Sequence, residues 1–253
     1  MIVVEKLISQ LPAENAMFFC TVHKHFARST ALQVFHLVNL KLGREAWSNI
    51  SRGIGKSKSL RALRFNKCNL SQIALELLLG GLGKNESLES LDLSHNDMED
   101  STCGTAVVKL LQAQSEHRDN IVWSLGLRGE TPSLEETGLC EVKLSFNRFG
   151  SDFSKSLSQF IKYDRYVRVI DVSHNQIENL KELAGAIKSS DALVAFDARF
   201  NQGYNAKVHK LIALKLLRNI DRLAGAKVPL KRAWIRREIL EVNYDDPAAT
   251  FEE

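Results

Sequence analysis

Three segments of this chain carry apolar residues at one spacing. Leu32 to Leu42, Leu60 to Leu70 and Leu88 to Met98 each place them at offsets zero, three, five and ten. Their first leucines stand 28 residues apart twice over (60 − 32 and 88 − 60), and the clearest copy, residues 88–98, reads LESLDLSHNDM. A unit of this length cannot bury its own apolar face, so successive copies must stack on one another. The chain is therefore first of all an extended surface.

The pattern continues past an interruption. Residues 139–149 (LCEVKLSFNRF), 167–177 (VRVIDVSHNQI) and 193–201 (LVAFDARFN, degenerate) repeat it, with starts 28 and 26 apart. Between the third and fourth starts the gap is 51 (139 − 88), one repeat plus 23 residues. An apolar residue six positions before nearly every start, at Phe26, Ile54, Leu82, Ile161 and Ile187, supports the same frame; only Ser133, beside the insertion, breaks it. This is the leucine-rich-repeat pattern. It predicts an α/β solenoid, a horseshoe with parallel strands on the concave face and helices on the convex face. Six repeats should run over 32–221 with an insertion near 112–138. A helical N-terminal cap is expected over 1–31, on either side of Pro12, and a C-terminal cap with a loose tail over 222–253.

Each repeat position has a physical job. The strand alternation turns Leu63 and Phe65, or Leu91 and Leu93, inward and their neighbours outward. The ninth residue (Cys68, Asn96, Asn147, Asn175, Asn201) can bond the main chain where it leaves the strand. The second half of each unit is helical, as in Ala74–Leu79 and Ala106–Leu111. Strands pack ~4.8 Å apart and helices ~8–10 Å apart, so the array must bend with its strands inside.

Composition excludes several classes. At 253 residues, 44% hydrophobic and 25% charged, the chain has no apolar run of membrane-spanning length, and a net charge of +4 is too small to argue for nucleic acid. The N-terminus lacks the regions of a signal peptide. Cys20, Cys68, Cys103 and Cys140 lie too far apart for metal-ligand or redox spacing, and a cytoplasmic protein is expected. The sequons at Asn49, Asn69 and Asn85 are of a kind that arises by chance. Gly53-Ile54-Gly55-Lys56-Ser57 resembles a phosphate loop, but Ile50 stands where its first glycine belongs, and Gly53 and Gly55 recur one period later as Gly81 and Gly83. They are expected at helix ends, relieving left-handed caps. His95 and His174 share one repeat slot and are expected as solvated turn residues, with no metal, cofactor or catalytic set forming around them.

The outward strand positions make a mixed, small-residue-rich face that suits a protein partner. Its contact candidates are Arg64, Asp92, Lys143, Asp171, Asp197 and Arg199. The acids are expected to be solvated in the free protein and paired only in a complex. In the insertion, Trp123 and Leu125 are expected to cover the flank of the solenoid, because exposed tryptophans are rare. The other reading makes Trp123 and Arg128 anchors of a docking loop. Residues 230–242 (LKRAWIRREILEV) alternate basic and apolar groups and are expected to seal the last repeat, or else to offer a basic contact to tubulin or lipid.

Trp123-Ser124-Leu125, Arg128, Pro132 and the run from Gly138 through Leu139, Val142, Leu144 and Asn147 resemble the N-terminal leucine-rich-repeat domain of the seventy-eight-kilodalton centrosomal protein family, over roughly residues 30 to 220. The resemblance implies a non-enzymatic scaffold in the cytoplasm and cytoskeleton, at the centrosome, centriole or ciliary basal body. It also implies centriolar or cytoskeletal partners and ubiquitin-ligase components. The chain ends without that family's coiled-coil tail, so self-association is not implied. A GTPase regulator of the Ran-activator type and an adaptor fragment are the alternatives, though no residue selects the first and no nucleotide-binding or F-box segment accompanies the second.

Overall fold

A computed structural model of the chain describes Lys24, Phe26 and residues 28–130 and 138–235. Most of the expected N-terminal cap, Pro132 of the insertion and the segment 236–253 lie outside the described residues. The elements alternate strictly: β1 (Val34–Val38), α1 (Arg44–Ile54), β2 (Ala62–Asn66), α2 (Gln72–Leu82), β3 (Ser90–Asp92), α3 (Thr105–Leu127), β4 (Glu141–Lys143), α4 (Ser151–Tyr163), β5 (Val169–Asp171), α5 (Lys181–Ser189), β6 (Ala195–Asp197) and α6 (Ala206–Gly225). A one-turn π-helix, Asp100–Gly104, leads into α3.

All six strands form one parallel sheet in sequence order. Phe35, Leu63, Leu91, Val142, Ile170 and Phe196 lie side by side across it. That row is the repeat frame in three dimensions, because a unit that stacks on a copy of itself must place equivalent residues opposite one another. The fold is a leucine-rich-repeat solenoid. Its core is one continuous layer between sheet and helices, with Leu63, Leu91, Leu93, Val142, Leu144 and Val172 all without exposed surface.

The ninth-position asparagines stitch the layer together. Asn96 donates to the carbonyls of Phe65 (2.6 Å) and Leu93 (2.8 Å) and accepts from the Cys68 amide (2.9 Å). Asn147, Asn175 and Asn201 repeat the arrangement, each bonding its own repeat and the one before. The main-chain groups that these asparagines reach at the strand exit are thereby paired.

The glycines have a different task from the one expected. Gly55 and Gly83 end their helices with right-handed φ angles of −62° and −61°, so neither forms a left-handed cap. Gly81 is required by close packing: a Cβ there would sit 1.9 Å from the Ser51 carbonyl oxygen, so α1 and α2 meet backbone to backbone. Left-handed backbone lies elsewhere and recurs at the eighth position of every repeat, at Asn39, Lys67, His95, Phe146, His174 and Phe200, with φ between 53° and 61°.

The insertion lengthens α3 to 23 residues, against 11 in α2 and 13 in α4, about 34 Å at the usual rise. After α6 the chain folds back along the edge where strands begin. Lys231 there pairs with Glu89 at 2.6 Å, and Trp234 is buried.

Candidate protein-binding face

Strand register brings five of the candidate side chains into one row. Arg64, Asp92, Lys143, Asp171 and Asp197 are neighbours across β2 to β6. Arg64 is exposed, whereas Lys143 is half-buried and pairs with Glu141 at 3.1 Å.

The acids of this row are already engaged, contrary to the expectation that they stand solvated and unpaired. Asp171 accepts from the Ser173 amide (3.0 Å) and hydroxyl (2.7 Å), and Asp92 accepts from the Ser94 amide (3.0 Å), the Ser94 hydroxyl and Asn66 Nδ2 (3.0 Å). Each carboxylate closes an Asx turn as the chain leaves the strand. In the sixth repeat Arg199 stands where serine did. Its guanidinium grips both oxygens of Asp197 (Nε–Oδ1 3.0 Å, NH2–Oδ2 2.7 Å), and Asp197 is only 6% exposed. Asp197→Lys is therefore expected to lower stability by roughly 3–5 kcal/mol, because it buries an unpaired lysine beside the half-exposed Arg199. A urea melt shifted by less than about 1 kcal/mol would show that the pair is dispensable.

Trp123 also departs from expectation. It stands 68% exposed near the end of α3, with Leu127 at 69%, rather than covering the flank. The lengthened helix runs past the body of the solenoid, so its last turn has no neighbouring repeat to pack on. Arg128 follows it and pairs only at 3.7 Å with Glu130. These two residues therefore lie at the tip of a helix, apart from the concave row.

The most distinctive surface was not anticipated. The left-handed residues at the eighth position put their side chains along the lip of the horseshoe, and four of the rings stack. His95, Phe146, His174 and Phe200 follow one another at centroid distances of 4.2, 4.0 and 4.2 Å with planes within 28° of parallel. Phe146 is 43% exposed and Phe200 67%. His95 and His174 are thus rungs of a ladder rather than plain turn residues, and the Phe146 ring between them prevents a shared metal ion. Among the described residues no group of three potential ligands lies close enough to hold a metal. A sequence signal did exist: aromatic residues recur in one slot, where left-handed backbone would favour asparagine or glycine.

The buried cysteines are structural. Burial pushes the Cys68 thiol up to about 11 and raises that of Cys103 as well, so neither is a ready nucleophile.

The parallel sheet, the asparagine ladder and the repeat frame define a leucine-rich-repeat solenoid, and the Leucine Rich repeat family matches residues 84–101. Within that class the chain is similar to Centrosomal protein of 78 kDa. It is 24% identical to the mouse protein over 196 residues and 25% identical to the human one over 199. In both cases 76% of this chain is covered, but only 25% and 28% of the relative, so the chain spans about a quarter of their length. Among solved structures, the tropomodulin C-terminal domain of Caenorhabditis elegans superposes with a TM-score of 0.49 at 13% identity, covering 83% of this chain and 97% of that one. Leiomodin-1 Actin-Binding Site 2 superposes with 0.47 at 9% identity, covering 83% and 93%. Among the described residues no helix is long and apolar enough to cross a membrane.

Proposed function

We propose that this protein is a non-enzymatic scaffold that binds a partner protein along the aromatic lip of the horseshoe, and that it acts at the centrosome or ciliary basal body. The observation that carries the binding surface is the ladder. A bulky side chain in left-handed backbone costs about 1–2 kcal/mol, yet Phe146 and Phe200 are held there with large parts of their rings exposed. Exposed aromatic side chains on a rigid frame are what protein interfaces use as anchors, and strain kept at one surface points to use of that surface. The row of Arg64, Asp92, Lys143 and Asp171 lies beside it and supplies the polar rim. Likeness to a centrosomal protein over three quarters of the chain supports the location, and centriolar, cytoskeletal or ubiquitin-ligase proteins are the partners it would imply.

Localisation tests this reading. The tagged full chain should coincide with a centriole marker in ciliated cells. The double variant Phe146→Ala/Phe200→Ala should lose most of that signal while its melting temperature stays within several degrees, because neither ring belongs to the buried core. A wild-type signal spread evenly through the cytoplasm would reject the location. A double variant that still concentrates at centrioles as wild type does would reject the lip.

A further inference from the structure

The edge of the solenoid opposite the lip, where helices end and strands begin, holds a cavity of about 940 Å3. Its walls carry five cations, Arg118, Lys162, Arg165, Arg168 and Arg222, against two acids, Asp164 and Asp191, an excess of three positive charges (5 − 2). Both acids are occupied. Asp164 is buried and accepts from the amides of Tyr166 (3.0 Å) and Val167 (2.7 Å) and from the Ser115 hydroxyl (2.8 Å). Asp191 accepts from Lys215, which is not part of the cavity wall, at 3.1 Å.

Part of this charge has a structural use. Arg168 donates to the carbonyls of Arg165 and Ala192 at 3.0 and 3.1 Å, and Arg222 to the carbonyl of Asp191, where helix ends expose acceptors. Carbonyls carry no net charge, so the positive potential survives these bonds. Burial, with Arg118 and Arg222 nearby, pulls Arg168 below the usual arginine value, as expected of cations crowded together. Lys162, in the last turn of α4 and over the Tyr163 ring, and Arg165 are both exposed at the rim.

Beside the charges lie the polar Ser189 and Ser190 and an apolar side made by Tyr163, 72% exposed, with Val228, Pro229 and Trp234. A nucleic-acid strand would call for a continuous basic stripe along the surface, whereas this is a single recessed cation cluster, open to solvent, beside an apolar wall. Its volume lies at the upper end of the ~300–1,000 Å3 of ordinary ligand sites. Guanidinium forks match carboxylates in pairs.

We propose that the cavity docks a short acidic peptide segment of a partner protein, with its carboxylates on Lys162, Arg165, Arg168 and Arg222 and an apolar side chain against Tyr163 and Pro229. The site is separate from the aromatic lip, and it stands whether or not the lip binds a partner.

The test uses the full chain and a fluorescein-labelled peptide of glutamates flanking a central leucine, followed by anisotropy. A glutamine version and a labelled oligothymidine run beside it. Wild type is expected to bind the acidic peptide saturably and to ignore the glutamine version. Arg165→Glu and Lys162→Glu, both at exposed positions, should each weaken binding by about tenfold, the size of one lost charge-assisted contact. Arg52→Glu, an exposed site on α1, should leave affinity within about twofold. The proposal is overturned if wild type does not bind the acidic peptide, if both rim variants bind it as wild type does, or if oligothymidine binds more tightly.

Discussion

Replacing Leu91 by alanine is expected to lower the unfolding free energy by roughly 2–5 kcal/mol, the range for a fully buried leucine. Leu91 has no exposed surface, and it sits in the middle of the row that runs from Phe35 to Phe196. It packs between Leu63 and Val142 on the flanking strands, which cannot close over the space because their backbones are held in register. Urea denaturation checks this. A midpoint unchanged within error would mean that the third repeat contributes no core.

Asn96→Ala is expected to cost on the order of 3 kcal/mol or more, since each buried polar group left unpaired costs roughly 1–3 kcal/mol. The substitution strands the Phe65 carbonyl and the Cys68 amide of the preceding repeat, while the Leu93 carbonyl keeps its bond from Asn147. A solenoid's stability is close to a sum of repeats and the interfaces between them. The loss should therefore appear first as faster amide exchange at Cys68 and along β2 and β3. Asn96→Asp keeps the acceptor for Cys68 but sets a buried carboxylate oxygen against the Phe65 and Leu93 carbonyls, so near neutral pH it should cost at least as much as alanine. Exchange rates at Cys68 that match wild type in the alanine variant would remove the ladder from this account.

Much of the frame was legible because a repeat is its own evidence. The 28-residue offset between Leu60 and Leu88 predicts that Leu63 and Leu91 lie side by side, and the sheet pairs them so. The asparagines were legible for the same reason, since a polar residue recurring among apolar ones at a strand exit must bond the main chain. The glycines were read wrongly because periodicity alone does not separate a positive φ from a close approach. Gly81 is needed for its missing Cβ against Ser51, a contact between residues 30 positions apart (81 − 51).

The sequence by itself determined the class of fold, the order and direction of the strands and which side chains turn inward, because these depend only on period and alternation. The tertiary structure alone decided what the surface is. Whether Asp197 is solvated depends on Arg199 standing where earlier repeats have serine, and whether Trp123 is covered depends on how far α3 outruns its neighbours. The ring ladder and the arginine cavity arise the same way. Their members are scattered from His95 to Phe200 and from Arg118 to Trp234, and only stacking repeats at fixed spacing brings side chains so distant in the chain within contact.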